Sequence, residues 1–147
     1  MEVIYFDIGD TLAKAEFADD GKLVFHPLPG AIEALETLAA HRKGIISDPG
    51  EGQAAQDKAK AALQAAFGKY FSESALIHWG SKKSTALFEQ AIKESGVKGD
   101  ACLFVGENAR ERQCAKDAGM RTAATPQQAV QEVAAAPRPQ PEQKREL

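Results

Sequence analysis

The sequence predicts an α/β layer fold around a five-stranded, mainly parallel sheet. Two observations carry that expectation. Short runs of aliphatic, aromatic and β-branched residues alternate along the chain with longer stretches whose apolar residues recur at helical spacing. In addition, 147 residues fit one domain with a respectable core, whereas two independent cores would be hard to fill.

Val3 to Ile8 is a continuous apolar run of the kind buried on both faces of a parallel sheet. Ala13 to Phe17 and Lys22 to His26 flank Ala-Asp-Asp-Gly, whose Asp-Gly supplies turn chemistry for a small hairpin that Pro27 and Pro29 stop. From Ala31 to His41, Ile32, Leu35, Leu38 and Ala39 share a helical face, and Gly44 is read as ending that element before the strand Ile45-Ile46-Ser47. Asp48-Pro49-Gly50 turns the chain into an Ala-rich helix from about Gln53 to Phe67, and Ala75 to Trp79 is the third strand. Ser84 is placed to cap a helix with the stripe Leu87, Phe88, Ala91 and Ile92, stopped at Gly96. Cys102 to Val105 is the fourth strand, a helix then runs to near Gly119, and Arg121 to Ala124 is the fifth strand. Thr125-Pro126-Gln127-Gln128 starts the last helix with an N-cap Thr, Pro in the first turn and Gln at the third position. Beyond Ala136, the Pro-rich polar stretch to Leu147 lacks the apolar residues of a core and reads as a solvated tail.

Bulk composition narrows the function classes. A hydrophobic share of 44%, a charged share of 27% and a net charge of −3 describe an ordinary soluble domain, with no signal for nucleic acid or an anionic membrane. Cys102 and Cys114 sit in packed contexts and read as reduced thiols rather than a disulfide. No basic leader precedes a long apolar run and no stretch approaches the ~20 apolar residues of a span, so the expected location is the cytoplasm. The terminal KREL is then a chance likeness to a retention signal.

In open parallel sheets, ligands bind beyond the carboxyl ends of the strands. Four of these ends carry polar residues: Asp7 to Thr11, Ser47, the loop reaching Lys82 and Lys83, and Glu107. A carboxylate, a hydroxyl, an ammonium and a second carboxylate at one edge suit phosphoryl chemistry. Asp7 could attack phosphorus, Ser47 and a lysine could hold phosphoryl oxygens, and Glu107 could help place a divalent metal.

Their order along the chain resembles the haloacid dehalogenase (HAD) superfamily, whose four motifs end four successive strands of a Rossmann-like sheet. Tyr5-Phe6-Asp7-Ile8-Gly9-Asp10-Thr11-Leu12 is similar to the first motif, FDxDGTL, with Asp7 at the nucleophile. Ile45-Ile46-Ser47 is similar to the second, a hydrophobic strand ending in Ser or Thr. The third is a Lys, often in K-P-x-x-x-x-F, and placing Phe88 at its aromatic gives Lys82 that position, with Lys83 the other candidate. Phe104-Val105-Gly106-Glu107-Asn108-Ala109-Arg110-Glu111 resembles VGDxxxD with Glu for both Asp residues, and Ala118-Gly119-Met120 follows where the family often has AAGM. The resemblance covers residues 2 to about 133, which makes 1–136 a core domain and 137–147 a tail.

The resemblance implies a magnesium-dependent hydrolase, a phosphomonoesterase working through phospho-Asp7. Mg²⁺ would be held by the Asp7 carboxylate, the Gly9 carbonyl and Glu107, while Ser47 and Lys82 hold the phosphoryl group. One departure bears on rate. The family's phosphatases carry an acid-base Asp two residues after the nucleophile, where this chain has Gly9. General acid-base help is worth about 10²–10⁴ in rate. Asp10 could replace it if the loop turns its carboxylate inward, which a glycine at position 9 eases; otherwise the domain keeps the fold as an inactive binding or regulatory module.

Only about fifteen residues separate the first motif from Pro29, room for a hairpin flap but not a cap domain. By resemblance this is a capless member. An open site suits a macromolecular substrate, a large phosphate ester, or closure by a second subunit in a homo-oligomer.

Plainer readings stand beside these. Asp7 and Asp10 could serve as turn-forming Asp residues, and an exposed lysine pair is usually solvated surface. Asn108 followed by Glu111 is a capping-box pattern that would make Glu111 structural. Gly80 to Thr85 lacks the glycine that a P-loop requires before its Lys-Ser pair. A receiver domain would carry its acceptor Asp on the third strand rather than the first.

Overall fold

The computed structural model describes residues 1–135, so the proposed tail lies outside the described residues. Five strands form one parallel sheet in the order β5-β4-β1-β6-β7: β1 (Val3–Phe6), β4 (Arg42–Ser47), β5 (Ile77–Trp79), β6 (Cys102–Val105) and β7 (Arg121–Ala123). The remaining strands, β2 (Ala13–Phe17) and β3 (Leu23–Pro27), pair antiparallel as the expected hairpin. Helices α1 (Ala31–Thr37), α2 (Gln53–Phe67), α3 (Ala86–Ser95), α4 (Ala109–Asp117) and α5 (Pro126–Ala135) fill the crossovers and close the chain.

The alternation of side chains along β1 packs a layer onto each face of the one sheet. Ile4 and Phe6 face the layer supplied by Leu35 of α1, Leu63 and Phe67 of α2 and Ala129 of α5. Val3 and Tyr5 face the layer of Phe88 and Ala91 of α3 and Ala115 of α4. All four β1 residues are fully buried. On the second face Phe88 meets Phe104 edge-on at 5.0 Å, and the Tyr5 hydroxyl donates to the Ala91 carbonyl at 2.7 Å. These contacts fix helices to sheet. No described helix is long and apolar enough to cross a membrane.

Several boundaries differ from the sequence reading. Helix α1 stops at Thr37 rather than running to His41, and the buried Lys43 ammonium donates to the carbonyls of Leu38 and His41, each at 2.8 Å, as the chain turns into β4. Gly44 does not end a helix; it lies inside β4. A Cβ there would stand 2.3 Å from the Leu76 carbonyl oxygen and 2.6 Å from the Tyr5 ring. Its role is close approach within the sheet rather than termination. Ala75 and Leu76 belong to a 3₁₀ turn ahead of β5, and α3 starts at Ala86 with Thr85 at the N-cap position but no side-chain cap bond from it; the Ser84 hydroxyl accepts from the Ala86 amide at 3.4 Å. Both cysteines are free.

His78 on β5 is buried edge-on against Tyr5 with its Nε2 unpartnered. Burial pushes its pKa down, against an opposing pull from the charge of Glu94. A histidine depressed in the folded state favours folding above its unfolded pKa of about 6.5, and that stability is lost as pH falls, because the unfolded chain takes up the proton first. Urea titrations should therefore show wild type losing more stability between pH 7.5 and 5 than His78→Gln. Equal pH slopes would remove His78 as the cause.

Candidate active site

Strand β1 ends at Phe6, and the Asp7 amide extends the ladder by donating to the Val105 carbonyl at 2.9 Å. Asp7 is thereby fixed between the carboxyl ends of β4 and β6, where the strand order changes direction. The Asp7 Oδ1 accepts from Lys82 Nζ at 2.6 Å and from Ser47 Oγ at 3.3 Å. All three residues are buried. Positions 7, 47 and 82, separated along the chain by whole strand-helix units, thus converge on one oxygen.

Lys82 is also 2.9 Å from Glu111 Oε1, an oxygen otherwise without a hydrogen bond, so the contact is held by charge rather than by aligned donor geometry. Glu111 gets there because Asn108 alone caps α4: its side chain accepts from the Arg110 and Glu111 amides at 2.9 and 3.0 Å. The capping-box reading is therefore half right. Asn108 is the cap, but the Glu111 carboxylate turns to the lysine. Lys83 is exposed, which separates it from Lys82.

After Asp7 the chain tightens. The Ile8 carbonyl accepts from the amides of Thr11, Leu12 and Ala13. Asp10 has φ 59°, the only non-glycine residue in the left-handed region among the described residues. The family's first motif has glycine here, and Asp is among the residues that tolerate this conformation. The Asp and Gly of that motif have in effect exchanged places, while the backbone keeps the turn. The Asp10 carboxylate points to Lys14 at 2.6 Å, with both side chains more than half exposed, and makes no hydrogen bond to Asp7, Ser47 or Lys82. That hydrogen bond, then the Asp10 charge, raises the Lys14 pKa, with a smaller contribution from Glu107.

Glu107 follows β6 with an exposed side chain, and its amide donates to the buried Thr11 hydroxyl at 3.1 Å. Thr11, which residue-type reasoning did not single out, ties the first loop to the fourth. Its only sequence signal is its place within the first motif.

The donors fit a small hard cation. Asp7 Oδ2 and the Gly9 carbonyl accept no hydrogen bond among the described residues, and both are oxygens. The carboxylates of Asp7 and Glu111 share one buried ammonium, leaving an excess of negative charge that suits a cation. Among the described residues no three His, Cys, Asp or Glu side chains form a metal cage by themselves. A peptide carbonyl and water would have to complete the set, as Mg²⁺ commonly requires.

The sequence model of the haloacid dehalogenase-like hydrolases matches residues 5–125. No curated protein matches the chain. Among solved structures, a haloacid dehalogenase-like family hydrolase from Xanthomonas campestris superposes with a TM-score of 0.71 at 12% identity, covering 92% of this chain and 91% of that one. D,D-heptose 1,7-bisphosphate phosphatase from B. bronchiseptica, complexed with magnesium and phosphate, gives 0.68 at 13% identity over 91% and 98%. A cobalt-bound deoxy-D-mannose-octulosonate 8-phosphate phosphatase from Haemophilus influenzae gives 0.57 at 13% over 83% and 67%. At such identities the likeness is one of fold.

Proposed function

The chain belongs to the haloacid dehalogenase-like hydrolases, and from that premise we propose that it is a Mg²⁺-dependent phosphomonoesterase that acts through a phosphorylated Asp7. The observation that carries the reading is the convergence of Lys82 Nζ and Ser47 Oγ on the buried Asp7 carboxylate.

Asp7 attacks phosphorus, its oxygen forming the new P–O bond as the ester P–O bond breaks and the alcohol leaves. Lys82 and Ser47, which donate to Asp7 here, turn to the phosphoryl oxygens and offset charge growing there. Water then attacks the acyl phosphate, releasing inorganic phosphate and regenerating the carboxylate. A divalent ion held by Asp7, the Gly9 carbonyl and Glu107 would supply electrostatic neutralisation of the phosphoryl oxygens. Glu111 gives Lys82 a second carboxylate partner and helps keep its ammonium beside Asp7.

The leaving alcohol needs a proton. Gly9 has none to give, and Asp10 reaches the site only by leaving Lys14. Turnover is accordingly slow, and this geometry favours a second reading, a binding or regulatory domain that holds metal and phosphate without hydrolysis. Between the first motif and Pro29 only the β2-β3 hairpin intervenes, which suits a large phosphate ester or macromolecular substrate.

Hydrolysis of an aryl phosphate with Mg²⁺, in wild type and Asp7→Asn, tests the assignment. Wild-type turnover that Asp7→Asn abolishes is expected; equal residual rates would remove Asp7 from the chemistry. Tight Mg²⁺ and phosphate binding without turnover would favour the second reading.

A further inference from the structure

We propose that Arg112 is a positioning residue that, together with Thr11, clamps the peptide unit between Gly106 and Glu107 and so sets where the Glu107 carboxylate is presented. The Arg112 Nη1 donates to the Gly106 carbonyl at 2.8 Å, and the Glu107 amide donates to Thr11 Oγ1 at 3.1 Å. Both ends of one peptide plane are therefore held by side chains. The last backbone tie before it is the Gly106 amide, which donates to the Ala123 carbonyl at 3.0 Å. Beyond that bond the sheet ladder no longer fixes the chain.

The position needs outside support because of what Gly106 must be. A Cβ there would press to 2.7 Å on the Phe104 ring and 3.6 Å on the Asp7 Cβ, so close approach to the site calls for glycine. Glycine also leaves the following peptide the widest choice of tilt. That tilt is one of the torsions that aim Glu107. Arg112 sits on α4, one residue after Glu111, so the same helix turn that holds Lys82 through Glu111 also holds the Glu107 backbone. The guanidinium is suited to the task by its rigid planar fork, which a flexible ammonium does not reproduce.

The inference rests on the reading of Glu107 as a metal ligand, and the experiment separates the two. Amide hydrogen exchange is followed in the metal-free full chain for wild type, Arg112→Met, Thr11→Val and Thr11→Ser, with Mg²⁺ affinity measured by calorimetry on the same samples. Arg112→Met and Thr11→Val are expected to speed exchange at the Glu107 amide several-fold relative to amides of β1 and β6, while Thr11→Ser keeps wild-type protection. Mg²⁺ affinity is expected to fall about 10–100-fold in the first two, the usual effect of losing an outer partner of a metal ligand, with the melting temperature little changed. Unaltered Glu107 exchange in both variants would overturn the clamp, as would altered exchange with undiminished Mg²⁺ affinity. If wild type itself binds no Mg²⁺, the metal reading falls, and Glu107 exchange alone decides whether the clamp exists.

Discussion

Gly9→Asp is expected to raise aryl phosphate turnover by about 10²–10⁴, the ordinary value of a positioned general acid-base group. Position 9 can accept the change. Gly9 is not among the residues with positive φ, and a Cβ placed on it meets nothing within 4 Å. The carboxylate would then stand two residues after Asp7, where the family's phosphatases carry their proton donor. Adding Asp10→Gly returns glycine to the left-handed position, where an L side chain costs roughly 1–2 kcal/mol. The double exchange should thus be the faster and the more stable enzyme. A new carboxylate limb in the pH-rate profile would confirm that the added group transfers the proton. Asp10→Asn alone serves as the counter-test: rates should stay within a few-fold of wild type, since its carboxylate is engaged by Lys14. No gain from Gly9→Asp together with a large loss from Asp10→Asn would show that Asp10 already does this work after leaving Lys14.

This exchange also shows how sequence and structure divide the information. The swapped Asp and Gly are plain in the letters, and so is the turn they occupy. Which way the Asp10 carboxylate points was not, because that depends on Lys14 arriving four residues later on the first strand of the hairpin. Elements set by local apolar pattern were readable to the residue, as in α2 and β6. Gly44 was misread because its meaning lies in the Tyr5 ring and the Leu76 carbonyl, contacts that no local pattern encodes. Glu111 was obscured for a similar reason. The capping pattern with Asn108 is local, whereas its ion pair with Lys82 spans a whole helix-strand unit and appears only when the third and fourth strand ends meet. Asp7, Ser47 and Lys82 were legible together because their order along the chain stands in for the spatial coincidence.

Lys82→Met is expected to be the most destabilising change in the site. Removing one partner from a buried ion pair costs about 3–5 kcal/mol, since the remaining charge stays desolvated and unpaired. Here the Lys82 side chain is 5% exposed and that of Asp7 9%, so little solvent can step in. Glu111, at 26%, recovers part of its hydration and adds less. The exposed Lys83→Met is the matched control, and a change within about 0.5 kcal/mol is expected of it. A further signature separates loss of charge from loss of packing. Mg²⁺ should restore part of the stability of Lys82→Met by supplying positive charge to the same carboxylates, a gain that grows with its concentration by mass action. A loss below about 1 kcal/mol would mean that the ammonium and the Asp7 carboxylate are not coupled as a buried pair. Normal destabilisation without Mg²⁺ rescue would instead leave the ion pair intact as an idea and remove the carboxylates around it as a cation site.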